Sequence, residues 1–175
     1  ENRMSLVVIT GGATGIGAAA VRKFAEEGYD VALLDTNAEE SAKLESEEYR
    51  GKIGFFQTDV RDRTAIQASV DQAVEQFGTP SVLFANAGIQ RLDVNLKGTL
   101  YTVAAVAPFM RDAGEGSIIL MASDQVFAGK EGSIVYGATK GGVAQMAKAL
   151  TVELSPLGIR VNAVCPATVK TPLTD

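Results

Sequence analysis

The 175-residue chain suffices for one domain with a substantial core and is too short for two ordinary ones. Sixteen basic against 21 acidic residues, without a Lys/Arg block, argue against a nucleic-acid surface, and apolar runs of strand length argue against a membrane span. Histidine is absent and Cys165 is the single cysteine, which excludes a Ser-His-Asp or Cys-His nucleophile, argues against a zinc or other metal site, and removes any internal disulfide.

The elements alternate along the chain. "SLVVIT" (5–10) reads as a buried strand, followed by glycines and a helix near 15–27. "DVALLD" (30–35) is a second strand, and the Ala/Glu-rich stretch 38–48 a helix. "KIGFFQTD" (52–59) is a third strand, and 63–78 an amphipathic helix. "SVLFANAG" (81–88) is a fourth strand. Residues 94–112 read as a helix, with Pro108 as a kink or turn near its end. "GSIILMAS" (116–123) is a fifth strand, 134–154 a helix that stops before Pro156, and "IRVNAVCP" (159–166) a sixth strand. Strands without clear in-out alternation predict burial on both faces, and their alternation with helices predicts repeated βαβ units. The expected fold is therefore a single α/β domain spanning 1–175: a doubly wound parallel sheet in three α/β/α layers. Such sheets bind ligands beyond the carboxyl ends of their strands. The polar and glycine-rich residues fall at those ends: 10–17, Asp35, Asp59, 86–88, Ser123 and 166–171.

"TGGATGIG" (10–17) follows a strand and opens a helix. Gly11, Gly15 and Gly17 let the backbone turn tightly and approach a ligand. The helix start at Thr14, Gly15 and Ile16 offers free N–H groups and a partial positive charge to a pyrophosphate. Asp35 ends the second strand about 20 residues further on, where a carboxylate accepts from a ribose 2′-hydroxyl. A 2′-phosphate there would be repelled, and Ala13, Thr14 and Thr36 supply no cation, so NAD is expected over NADP.

Tyr136 and Lys140 stand four apart, on one helix face. An ammonium about 4 Å from a phenolate gains about 4 kcal/mol at an effective dielectric of 20. That is worth about three pKa units, enough to carry a phenol from about 10 toward neutrality. The pair can thus move a proton without histidine. Ser123, 13 residues before Tyr136 at a strand end, can hydrogen-bond a substrate oxygen and stabilise charge developing there.

These pieces together resemble the short-chain dehydrogenase/reductase family: Thr10-Gly11-x-x-x-Gly15-x-Gly17, Asp59-Val60, Asn86-Ala87-Gly88, Asn95, Ser123, Tyr136-x-x-x-Lys140, and Pro166 through Thr171, in family order over nearly the whole chain. The resemblance implies a Rossmann fold and NAD(P)-dependent alcohol/carbonyl redox chemistry. It implies a catalytic tetrad of Asn95, Ser123, Tyr136 and Lys140. Lys140 would also hold the nicotinamide ribose, and Asn95 a water that relays protons. Asp59 and Val60 would meet the adenine, and Asn86, Ala87 and Gly88 the adenosine ribose. Pro166, Val169 and Thr171 would lie at the nicotinamide, whose carboxamide Val169 and Thr171 would fix. Asp124, Gln125 and Lys130 would lie near the substrate, which suits a polyol, sugar or cyclic alcohol. The family also implies a homo-oligomer, a tetramer built on helices 94–112 and 134–154.

Three features depart from the family pattern, the first being Ala167 after Pro166, where the family usually has glycine. Only "IQRLDV" separates the Asn86-Ala87-Gly88 turn from the Asn95 motif, which suggests a missing segment of about 15–20 residues between Ile89 and Asp93. The family continues beyond "TPLTD", which suggests a further C-terminal part after Asp175. Two other functions share parts of this signature. Sugar-nucleotide epimerases and dehydratases use Tyr-x-x-x-Lys but space the glycines differently. A non-catalytic NAD-binding sensor would not need an intact tetrad.

Overall fold

The computed structural model describes residues 5–171. Six parallel strands form one sheet: β1 (Leu6–Thr10), β2 (Val31–Asp35), β3 (Ile53–Gln57), β4 (Pro80–Ala85), β5 (Gly116–Met121) and β6 (Ile159–Val164). Five helices alternate with them: α1 (Gly15–Glu26), α2 (Ala38–Ser46), α3 (Arg63–Phe77), α4 (Thr99–Ala113) and α5 (Ile134–Leu154). The strand order is β3-β2-β1-β4-β5-β6. The chain winds outward from β1 to β3, then α3 carries it back to pair β4 on the other side of β1. The order therefore reverses between β1 and β4, and a crevice opens beyond their carboxyl ends. In register, Thr10 stands opposite Leu34 on one side and Ala85 on the other.

The strand sequences explain the layers. In β1, Leu6 and Val8 pack toward α3, α4 and α5, while Val7 and Ile9 pack toward α1 and α2. All four are fully buried, so β1 needs apolar side chains on both faces from Leu6 to Ile9. The expectation of two covered faces fails at β6. Ile159 and Val161 are buried, but Arg160, Asn162 and Val164 are exposed. "IRVNAV" carries an apolar-polar alternation that marks a strand covered on one side.

Helix starts follow their caps. Asn37 accepts from the Glu40 N–H ahead of α2, and Asp62 accepts from the N–H groups of Thr64 and Ala65 ahead of α3. At α1 the residue before the helix, Thr14, is extended and its side chain caps nothing; the first turn holds no acidic residue. Pro108 does not end α4, which runs on to Ala113 and stops at left-handed Gly114. A π-helical turn, Asp93–Gly98, precedes α4, and short 3-10 turns lie at Asp124–Val126 and Ser155–Leu157. Sequence periodicity predicted none of the three. No helix among the described residues is long and apolar enough to cross a membrane, and no cluster of His, Cys, Asp or Glu there could hold a metal ion.

Candidate active site

Two cavities lie over the carboxyl edge of the sheet, of about 410 and 390 Å³. They share Ile16, Asn86, Gly88 and Thr171 and so meet above the switch between β1 and β4. Each has the size of a small-ligand site.

The first cavity is built around the glycine turn. Gly11 adopts φ +65°, and a Cβ there would stand 2.7 Å from Ala87 Cα. At Gly17 a Cβ would stand 2.0 Å from Gly11 O and 2.6 Å from Asn86 Nδ2. Helix α1 therefore reaches the turn only with glycine at that position. Asn86 braces the turn from β4: its Nδ2 donates to Gly11 O at 2.8 Å and to Thr10 O at 3.2 Å. The Ala87 N–H donates to Thr10 Oγ1 at 3.2 Å. Asp35 braces it from β2. Its Oδ2 accepts from the Ala13 N–H at 3.0 Å, and its Oδ1 from the Asn37 N–H at 2.9 Å. Asp35, Asp59 and buried Val60 line this cavity with Gly11, Thr14, Gly15, Ala87 and Gly88.

Sequence reasoning missed two cations here, Arg61 and Arg91, which also line the cavity. Each is committed to a neighbouring carboxylate. Arg61 Nε donates to both oxygens of Asp59, at 3.0 and 2.9 Å, and Arg91 pairs with Asp93 at 3.0 Å. The Arg61 guanidinium holds the Asp59 carboxyl below its ordinary range. The available signal was position: Arg61 follows Asp59-Val60 directly.

The second cavity collects the chemical residues. Ser123 is buried just past β5. Its Oγ donates to Asp124 Oδ1 at 2.9 Å and accepts from the Gln125 N–H at 3.2 Å. Half-buried Tyr136 and buried Lys140 lie on α5 and line the same space, as do Pro166 and Val169. The Asp124 N–H donates to Pro166 O at 3.1 Å, which ties the segment after β5 to the segment after β6. Lys140 is 3% exposed. Its Nζ lies 5.6 Å from the centroid of the Tyr136 ring and donates to Met121 O at 2.7 Å, not to the Tyr136 hydroxyl. Burial lowers Lys140 to about 8. The Tyr–Lys pairing inferred from spacing is thus a side-by-side arrangement, with the ammonium anchored to the end of β5.

Asn95 is fully buried within the π-helical turn. Its Oδ1 accepts from the Ile89 N–H at 2.8 Å, and its Nδ2 donates to Thr139 Oγ1 at 2.9 Å. Thr139 in turn donates to Tyr136 O at 2.7 Å. A chain of hydrogen bonds thus links the loop after β4, Asn95 and the helix that carries Tyr136. Thr139 was missed from sequence, although it stands beside Lys140. Gly88 fits between the two groups: a Cβ there would lie 3.2 Å from Lys140 Nζ and 3.3 Å from Asn95 Oδ1. Asn95 lies behind Gly88 and does not line either cavity with its side chain.

A dinucleotide fits this arrangement. The uncapped N–H groups of α1 suit a pyrophosphate, Asp35 stands at the end of β2, and the two cavities give one lobe for each nucleoside. Residues 5–175 match the short chain dehydrogenase family, and the chain belongs to it. This is a family of Rossmann-fold oxidoreductases. Among the relatives, the 3-alpha-(or 20-beta)-hydroxysteroid dehydrogenase of Mycobacterium bovis is 38% identical over 185 residues, covering 97% of this chain and 71% of its own. The D-threitol dehydrogenase of Mycolicibacterium smegmatis is 34% identical over 185 residues, covering 96% and 71%. The crystal structure of carveol dehydrogenase from Mycobacterium avium in complex with NAD matches with a TM-score of 0.94 at 31% identity, covering 97% of this chain and 73% of that one. The aligned length with the first two, 185 residues, exceeds the 175 of this chain, so those relatives carry stretches with no counterpart here.

Proposed function

We propose that the protein is an NAD-dependent oxidoreductase that interconverts an alcohol and a carbonyl compound. The observation that carries this reading is the gathering of Ser123, Tyr136 and Lys140 on one cavity that opens into a second one built on the glycine turn. When bound, the dinucleotide supplies or accepts the hydride. The chain's own residues hold the substrate and move the proton. The Tyr136 hydroxyl is the general acid or base toward the substrate oxygen. The Ser123 hydroxyl donates a second hydrogen bond to that oxygen after turning away from Asp124 Oδ1. Lys140 uses one N–H on Met121 O, which leaves two for ribose hydroxyls. Asn95 and Thr139 tie the π-helical turn before α4 to the start of α5 around the site and support the proton relay.

The preference for NAD rests on Asp35. Arg61 and Arg91 border the adenosine lobe, but both are paired with carboxylates, so neither offsets the repulsion of a 2′-phosphate by Asp35. Asp59 and Val60 are assigned to the adenine, and Val169 and Thr171 to the nicotinamide carboxamide. A homotetramer is part of the same reading. Leu100 and Ala104 on α4, with Ala138, Ala149 and Val152 on α5, leave small and apolar side chains exposed for helix pairing.

Tyr136→Phe tests the assignment. It removes only the hydroxyl, so turnover of any accepted alcohol falls by about 10²–10⁴-fold while NAD affinity stays within about threefold. Substantial turnover by the phenylalanine variant would place the base elsewhere.

A further inference from the structure

The second cavity is polar along the lining supplied by the segment after β5 and the start of α5. That wall carries Ser123, Asp124, Gln125, Lys130, Ser133 and Tyr136. Three large apolar side chains of the same stretch, Phe127, Ile134 and Val135, are exposed and do not line it. Two of the polar groups carry an oxygen without a protein donor, one on exposed Asp124 and one on half-buried Gln125. Asp124 Oδ1 accepts from Ser123 Oγ at 2.9 Å, but its Oδ2 accepts nothing among the described residues. Gln125 Oε1 is buried beside Gly137 and finds no donor there either, so the amide has to turn to meet a ligand. Lys130, on the same wall, makes no ion pair among the described residues, so the wall carries one charge of each sign.

Position gives these acceptors a meaning. Ser123 is the group assigned above to the reacting oxygen. The Asp124 carboxylate begins one hydrogen-bond length away, and oxygens on adjacent carbons are separated by about the same distance. We propose that the cavity selects a neutral vicinal diol, or the α-hydroxyketone formed from it, with Asp124 and Gln125 reading the second hydroxyl. The reacting oxygen sits between Ser123 and Tyr136. The neighbouring hydroxyl donates to Asp124 Oδ2, and its oxygen or hydrogen pairs with the Gln125 amide, which rotation can present either way round. The opposite charges of Asp124 and Lys130 cancel on this wall, and Lys140, the remaining charge on the cavity, is committed to Met121 O and, in this reading, to the ribose, which leaves no net bias toward an ionic substrate. An apolar substrate would strip water from both charges without replacing it. The inference deepens the oxidoreductase reading and rests on it for the location of the reacting oxygen.

The test compares butane-2,3-diol, butane-1,3-diol and butan-2-ol with the intact protein and NAD. Wild type is expected to favour the vicinal diol over both others by about 10- to 100-fold in kcat/KM, the worth of one hydrogen bond to a charged acceptor. Asp124→Ala brings the ratio to within about threefold, Asp124→Asn keeps part of it, and Gln125→Leu lowers it. A wild-type ratio near one, or a ratio that Asp124→Ala leaves unchanged, overturns the proposal. Calorimetric binding of the same three compounds to the NAD-loaded protein separates the two layers of the argument. Diol-selective binding without turnover overturns the oxidoreductase reading and upholds the diol site. Binding without selectivity overturns the diol site.

Discussion

Lys140 is buried, uses a single hydrogen bond and pairs with no carboxylate among the described residues, so its charge is held at a cost. Burial lowers its pKa from 10.5 to about 8. Between these values the unfolded chain carries the proton and the folded one has released it, so raising the pH through this window stabilises the fold. The penalty is fully present below pH 8 and is lost by pH 10.5. At 1.36 kcal/mol per pKa unit it amounts to about 3 kcal/mol at pH 7 and about 1 kcal/mol at pH 10. Lys140→Met removes the charge and keeps most of the stem's packing. Comparing the variant with wild type cancels the titration of every other group. The assay is urea unfolding of both proteins at pH 7, 8.5 and 10, at one protomer concentration because subunit association shifts apparent stability. Relative to Lys140→Met, wild type gains about 2–3 kcal/mol between pH 7 and pH 10. The offset at any single pH also contains the lost bond to Met121 O, so the change with pH is the quantity to read. A difference that stays constant across the three pH values refutes the reasoning and means that Lys140 titrates near its ordinary value.

Asp35→Ala removes both the charge and two acceptors that hold the Ala13 and Asn37 N–H groups. It should narrow the preference for NAD over NADP while weakening NAD itself by about tenfold, and fluorescence titration of both cofactors reads the two effects separately. Equal affinities in wild type would sink the cofactor assignment. Gly17→Ala drives a methyl into the Gly11 carbonyl, where only backbone can yield. A loss of about 1–3 kcal/mol, with Tm lower by several degrees and dinucleotide binding abolished, is the expected result of thermal melts and titration. Sedimentation at micromolar concentration should give the mass of a tetramer; a monomer would remove the role assigned to the outer faces of α4 and α5.

The sheet and its order of elements were legible because their causes are local. Apolar runs in β1, β2 and β4 match burial on both faces, and the caps Asn37 and Asp62 mark where helices begin. The glycine turn was legible because Gly11 and Gly17 meet steric limits that no other side chain satisfies. Distant pairings were not. Lys140 was placed beside Tyr136 by helical spacing, but the carbonyl that anchors it belongs to a strand end 19 residues away. Asp35 was read as a ligand group, and the bond by which it fastens the glycine turn across 22 residues was not foreseen. Arg61 and Arg91 reach the first cavity through the layout of loops after β3 and β4, which composition does not encode. The π-helical turn escaped because hydrophobic periodicity cannot resolve one additional residue in a turn.

That turn makes the position of Asn95 depend on residue count as much as on residue type. An α-helical turn spends 3.6 residues where the stretch Asp93–Gly98 spends more, so the segment behaves as a helix holding one residue in excess. Shortening it by one residue would let regular winding run from Leu92 into α4 and would rotate Asn95 by about 100° about the axis, away from the Ile89 N–H and Thr139. Such a chain would gain a smoother helix and lose the strut between the loop after β4 and the helix bearing Tyr136. In this chain, then, a one-residue deletion at Leu96 or Lys97 would look neutral in sequence and would change the architecture of the site.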